Sequence, residues 1–222
     1  MHKIPFAVAA TFLTLGLPAQ ALAAEMQVAT RTVAVETFVS SDVDTTWDEL
    51  VNELAGRDYK INAMVKKNRV MKVLFQSTIP SHYVDCGEIS VNSNHAQFGE
   101  RNYNFLAANS VRYLVADEQA DELVDVERRT NLNAIASISL TPTGHGTMVR
   151  VDADYVMNFK TREFARNVET REVNDTLNFD STDGASRDER VRQGATSKSV
   201  TVECRATGAL ERNIVSVLGN TS

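Results

Sequence analysis

Cysteine, proline and tryptophan are scarce in this chain: two, four and one in 222 residues, with aromatic residues making up 7%. Two cysteines are too few for a zinc-binding framework, and no C-x-x-C redox pair is present. No G-x-S-x-G, P-loop, Rossmann glycine run or zinc-binding helix occurs, so the sequence points to no catalytic residue, no cofactor and no metal ligand. Beyond the N-terminus no apolar run approaches the roughly 20 residues a membrane-spanning helix needs. Basic residues are outnumbered 23 to 29, a net charge of −6, which argues against a nucleic-acid partner or a polybasic hold on anionic lipid.

What is present begins with export. Met1-His2-Lys3 is a short cationic start, Ile4 to Leu17 is apolar, and Ala21 and Ala23 frame an A-x-A cleavage site. Residues 1–23 therefore read as a signal peptide, with no lipobox cysteine, and the mature chain 24–222 as a periplasmic protein. Loss of Lys3 leaves 22 basic against 29 acidic residues, a net charge of −7. In an oxidising compartment a lone cysteine pair usually joins, so Cys86 and Cys204 are expected to form a structural disulfide, free buried thiols being the alternative.

The strongest local signal is a long hairpin over Thr130–Met157. Leu132, Ala134, Ala136, Ile138 and Leu140 alternate on one arm, and Val149, Val151, Ala153 and Tyr155 on the other, joined by a loop from Thr141 to Thr147. This alternation implies an antiparallel sheet with one wet face. Around it, Thr30–Val39, Tyr59–Val65, Val70–Phe75, Tyr83–Val91 and Ser199–Cys204 read as further strands. Trp47, Leu50, Val51 and Leu54 form one helical stripe behind a cap at Asp42 or Asp44. Leu210, Ile214, Val217 and Leu218 form a second, behind Thr207. The stretch 92–122 gives a poor signal, with a short helix suggested over Ala107-Ala108 and the following Val111, Leu114 and Val115. Residues 162–198 are polar and read as a mobile insertion in a single domain. The expected fold is α+β: a mostly antiparallel sheet with helices packed on one face, helix-grip-like.

Candidate functional residues are few. Arg128, Arg129 and Arg150 sit on the central hairpin, where they form a possible binding surface for a carboxylate or phosphate, or else pair with Glu127, Asp152 and Asp154. Asp85, flanked by apolar-looking neighbours, reads as a buried acid. Asp152 and Asp154 share a strand face as solvated acids do. His82 lies three residues before Asp85, a spacing that puts the two on opposite faces of a strand, and with no third ligand evident it suggests no metal; His145 sits in a loop between two glycines.

The segment Asp44–Leu54, followed by Tyr59-Lys60-Ile61 and the Lys67–Phe75 strand, resembles the repeated domain of the BamC family over about residues 30–76. That family consists of envelope proteins accessory to the outer-membrane β-barrel assembly machinery. The resemblance implies a helix-on-sheet fold and an envelope setting, and it implies no catalytic residues. The expected function is a non-enzymatic exported envelope protein that engages an envelope protein partner, through the polar sheet face or the 162–198 segment. The alternative is a binding module for a small apolar ligand held between the Trp47 helix and the sheet.

Overall fold

A computed structural model describes residues 34–57 and 59–219. The expected signal peptide, its cleavage site and the start of the expected first strand lie outside those residues. In chain order the elements are β1 (Val35–Val39), α1 (Val43–Ala55), β2 (Lys60–Val65), β3 (Val70–Ser77), β4 (Val84–Asp85), β5 (Glu88–His95), β6 (Gly99–Leu106), β7 (Val111–Asp117), β8 (Glu122–Thr143), β9 (Gly146–Ala165), β10 (Val168–Asp180), β11 (Ala185–Gln193), β12 (Thr196–Ala206) and α2 (Ala209–Ser216).

The central pair is β8 and β9, of 22 and 20 residues. They stay in register from Val124 opposite Ala165 to Thr143 opposite Gly146. The loop expected over Thr141–Thr147 therefore shrinks to Gly144-His145, because the ladder continues past Pro142. Even-numbered residues of β8 from Val124 to Leu140 are buried, as are odd-numbered residues of β9 from Thr147 to Glu163, save half-buried Thr161. A strand's period of two thus keeps one face inside over the whole length. Each long strand is flanked by two shorter ones in tandem. β7 pairs with residues 122–128 of β8 and β3 with residues 132–139, with β2 outside β3. On β9, β1 takes residues 147–151 and β10 residues 154–165.

Two smaller assemblies complete the molecule: a three-stranded sheet in the order β11–β12–β4, and the β5–β6 hairpin. Every pairing is antiparallel. Strand makes up 64% of the structure and helix 16%, which corrects the expected α+β, helix-grip-like plan to a mostly β fold. The two helices touch only part of the main sheet, α1 at β2, β8 and β9 and α2 at β9 and β1. Elsewhere strands pack on strands: β5 and β11 against β7, and β10 against β11 and β12.

Two further expectations fail with the fold class. Residues 162–198 are not a mobile insertion; they hold the end of β9, then β10, β11 and the start of β12. Their composition misled because β10 is exposed along most of its length, and the buried positions of this stretch include Glu163 and Glu189, at 2% and 5% exposure. The helix suggested over Ala107–Val115 is instead a turn at Ala107-Ala108 followed by β7, whose Tyr113 and Val115 are buried on the strand period.

The helices form where their stripes place them. The Asp42 carboxylate accepts from the backbone N–H of Asp44 and of Thr45, both at 3.0 Å, satisfying orphan donors of the first turn of α1. Trp47, Leu50 and Leu54 are buried, and Gly56 caps the end. Ahead of α2, Thr207 Oγ1 accepts from the Ala209 N–H at 3.3 Å, while the N-cap itself is Gly208 at φ 77°. Leu210 and Ile214 are buried in α2, and Val217 and Leu218 in the 3₁₀ turn after it.

Cys86 and Cys204 are joined by a disulfide across 118 residues. It sits beside the short β4–β12 ladder, in which Asp85 faces Arg205. The C-terminal strand and α2 are thereby tied to the middle of the chain.

At the tip of the long hairpin, a Cβ on Gly146 would lie 2.2 Å from the Val39 carbonyl oxygen and 3.0 Å from Ser40 Cα. Both are backbone, so the end of β1 would have to move. Gly146→Ala is expected to destabilise the protein by about 1–3 kcal/mol, the usual range for overpacking. Urea unfolding measures it, and an unchanged midpoint would mean that the β1–β9 approach is loose.

Candidate functional site

The face of the β8–β9–β10 sheet opposite the core carries successive rows of side chains. Register places Glu127 beside Arg162 and Glu172, Arg129 beside Lys160 and Asn174, and Asn131 beside Asn158 and Thr176. Neighbours across a ladder stand about 5 Å apart, so each row is a contact set. The second and third rows line an open depression of about 610 Å³, together with Phe159 and Asp175.

The acidic row holds the cations from behind. Arg129 Nε donates to Glu127 Oε1 at 2.7 Å, and Arg162 pairs with the other oxygen of Glu127. Lys160 Nζ lies 2.9 Å from Glu172 Oε2, and Asn174 Nδ2 donates to Glu172 Oε1 at 2.8 Å. The hydrogen bond from Arg129, seconded by Arg162, holds the Glu127 carboxyl below the usual glutamate range. Bonds from Lys160 and then Asn174 do the same for Glu172. In the next row Asn158 Nδ2 donates to Asn131 Oδ1 at 2.9 Å, and Thr176 Oγ1 to Asn158 Oδ1 at 3.2 Å. The Asn131 amide group and the remaining Lys160 donors are left for a ligand, as are the Asn174 carbonyl and the Thr176 oxygen.

Arg128, Arg129 and Arg150 are not brought together. Arg129 belongs to the depression. Arg128, one residue away, points to the opposite face and is 2% exposed. Its Nε donates to Glu189 Oε1 at 2.7 Å, and its terminal nitrogens reach Glu189 Oε2 and the carbonyls of Ala107 and Asn109. Arg150 lies opposite Ser139 and pairs with Glu36 and Asp152, at 3.1 and 3.6 Å. It is ten residues along β9 from Lys160, roughly 33 Å at the usual strand rise.

The other candidates resolve as follows. Asp85 is exposed while Val84 and Cys86 are buried, and its carboxylate accepts from the Gly87 N–H at 2.9 Å to close a turn, which corrects the reading of a buried acid. Asp152 is half-buried and Asp154 exposed on the open face. His145 is exposed in the hairpin turn. His95 is buried, with Nδ1 accepting from the Gln97 N–H and Nε2 3.3 Å from Asp121. Among the described residues no group of His, Cys, Asp and Glu is placed to hold a metal ion. No described helix is long and apolar enough to cross a membrane.

One polar cluster gave no signal in the sequence. Glu211 of α2, at 0% exposure, accepts from Tyr155 Oη at 2.8 Å and Ser181 Oγ at 2.5 Å through the same oxygen. Ser181 also bridges to β9, accepting from the Ala153 N–H at 2.6 Å. The trio ties α2 to β9 and to the β10–β11 turn. Burial, then the charge of Glu211 and the hydrogen bond to it, push the Tyr155 phenol far above its ordinary 10.0. Its folded-state value is raised, so the contribution to stability is intact below pH 10 and is lost as pH climbs from there, when the unfolded chain releases a proton that the folded chain keeps. Stability is expected to fall above pH 10 by at most about 1.4 kcal/mol per pH unit from this group. Tyr155→Phe should flatten that limb in urea titrations at pH 8 to 11; an unchanged slope would exclude Tyr155 as its source.

Fold and site together describe an antiparallel, mostly β protein with an open face rich in hydrogen-bonding groups. Searches against protein-family models and against curated proteins find no match for the chain.

Proposed function

We propose that this is a non-enzymatic, exported envelope protein that engages an envelope protein partner through the open face of its main sheet. The observation that carries the proposal is the convergence of Arg129, Lys160, Asn131, Asn158, Asn174 and Thr176, from three adjacent strands, on one depression of about 610 Å³. Cations already steadied by Glu127 and Glu172 are held in place before a partner arrives, which lowers the ordering cost of binding. The signal-peptide pattern of residues 1–23 and the disulfide both suit an oxidising compartment outside the cytoplasm. Trp47, Leu50 and Leu54 are buried against the core, and the depression lies on the opposite face of the sheet, which favours a surface partner over an apolar guest beneath α1.

The test is site-specific photocrosslinking in the native envelope. A crosslinker at Asn131 or Asn174 should capture one defined envelope protein, and one at Lys67, in the β2–β3 turn, should not. Combining Arg129→Ala with Lys160→Ala removes two charged donors, each worth about 1.5–3 kcal/mol, and should weaken capture by tenfold or more. Equal capture from all three positions, or capture that survives the double variant, would overturn the proposal.

A further inference from the structure

β10 pairs with β9 alone, and among the described residues no strand takes its far edge. From Val168 to Thr176 it is exposed on both faces, save half-buried Arg171. The hydrogen bonds show which backbone groups point away from the sheet. The Ser181 N–H donates to the Ala153 carbonyl at 2.9 Å, so by alternation the odd-numbered residues from Phe179 back to Arg171 are the ones that bond to β9. The even-numbered residues turn their N–H and C=O outward. Two of these donors are occupied close by: the Asp180 N–H by the Asp183 carbonyl at 3.2 Å, and the Thr176 N–H by Asp175 Oδ1 at 2.8 Å. Those of Glu172 and Asn174 have no partner among the described residues.

An open edge of this length is a template for another strand, and proteins commonly blunt such edges with lysine, proline or a bulge. β2, at the opposite side of the sheet, carries Lys60 and a register shift between Ile61 and Ala63. β10 shifts register once, between Glu169 and Arg171, and then runs regularly to Asp180 with neither lysine nor proline. Its charges instead select a partner, and that partner is β10 itself. Two copies about a two-fold axis pair antiparallel, each contact being made twice. With Val173 on the axis, Arg171 faces Asp175 of the second copy, and Glu172, already balanced by Lys160, faces Asn174 of the second copy. Glu172 and Asn174 then exchange the backbone hydrogen bonds that both lack. An axis at Arg171, Glu172 or Asp175 sets that residue against its own charge. An axis at Asn174 leaves Arg171 opposite Leu177 and Asp175 opposite Val173. Of the axes from Arg171 to Thr176, only the one at Val173 brings opposite charges together, which fixes the register. Both members of that pair have capacity left: Arg171 gives one nitrogen to Glu163 at 3.0 Å, and Asp175 is exposed.

We propose that two copies of this chain associate through β10, edge to edge and antiparallel about a two-fold axis at Val173, so that their main sheets become one. Val173 is 37% exposed and lines a cavity of about 220 Å³ between β10 and β11, which leaves room for a second valine beside it. The added strand lies at the side of the sheet and leaves the open face uncovered. The pairing therefore neither needs nor blocks the envelope partner proposed for the depression. Asn131, two strands in from the edge, is out of the second copy's reach, whereas Asn174 is not, and a doubled mass distinguishes that product from a foreign partner.

The test is sedimentation equilibrium of the disulfide-bonded chain up to about 1 mM. One short strand pair makes a small interface of the weak class, so a reversible dimer, half-dissociated at roughly 10–500 μM, is expected. Val173→Lys sets two ammonium groups against each other on the axis and should weaken association at least tenfold. A second measurement stands even if that variant disturbs β10. Under mild oxidation Val173→Cys should form an intermolecular disulfide at least tenfold faster than Val168→Cys, although Val168 is the more exposed, at 65%. Facing residues of a non-hydrogen-bonded pair bring their Cα atoms to about 4.5 Å, whereas Val168 would face Asn178 of the second copy. A chain that stays monomeric throughout would overturn the proposal. So would association that Val173→Lys leaves intact, or equal crosslinking rates at the two positions, because the copies would then meet elsewhere or only by collision.

Discussion

Arg128→Ala is expected to lower the unfolding free energy by about 3–5 kcal/mol, the range for removing one partner of a buried ion pair. Arg128 is 2% exposed, and its nitrogens satisfy Glu189 and the carbonyls of Ala107 and Asn109. It also stands over Phe159, 5.2 Å from the ring centroid, so truncation removes packing as well as charge. What remains is Glu189 held by Arg187 alone, with two carbonyls deprived of a donor. Replacing both partners, Arg128→Met with Glu189→Leu, should recover part of the loss, since the stranded carboxylate is removed too. Urea unfolding gives both values. A single variant within 1 kcal/mol of the parent would mean that water reaches Glu189 and that the pair does not hold β11 to β8.

Opening the disulfide should cost as much by another route. Cys86 and Cys204 close a loop across 118 residues, and the chain-entropy account assigns a loop of about that length roughly 4–5 kcal/mol. Cys86→Ala with Cys204→Ala, compared with the oxidised parent in urea, measures it. The midpoint should fall, and m should rise as the unfolded chain expands. Against an ordinary stability of about 5–15 kcal/mol, either this loss or that at Arg128 would leave a marginal protein. A change below 1 kcal/mol would mean that the β4–β12 ladder holds the C-terminal strand without its covalent tie.

Where apolar residues kept a period, the sequence revealed the structure. Leu132–Leu140 and Val149–Tyr155 face the core as their alternation requires, and the Trp47 and Leu210 stripes are helical. Polar residues hid the rest. In β5 the inward positions after Val91 are Ser93 and His95, so the expected strand stopped at Val91, and in β11 they include Glu189, so a reading that equates inward with apolar saw no strand there. One residue of the open-face site was legible, Arg129, named with the central hairpin. Asn158 and Lys160 lie just past the expected end of the hairpin at Met157, and Asn174 and Thr176 lie on β10, inside the 162–198 stretch whose polarity suggested a mobile insertion. Arg128 shows the same limit from the other side. An arginine on a strand declares its face only once the register is known, and one residue separates a ligand-facing group from a core one.

The tandem flanking of β8 and β9 has a consequence for how the molecule assembles. A hairpin with a two-residue turn is a local structure, of the kind that closes in about 1–10 μs. Two of the strands that flank it come from far away in sequence: β1 meets β9 with Glu36 opposite Arg150, and β3 meets β8 with Val73 opposite Ala136. Such non-local pairings are slow to find, and until they form the hairpin presents unpaired edges to any other chain nearby. A chain emerging N-terminus first releases β1, β3 and β7 before the hairpin they flank, and β10 and Cys204 only after it. The vulnerable interval therefore lasts until β10, the last of the flanking strands in sequence, is released and pairs with β9.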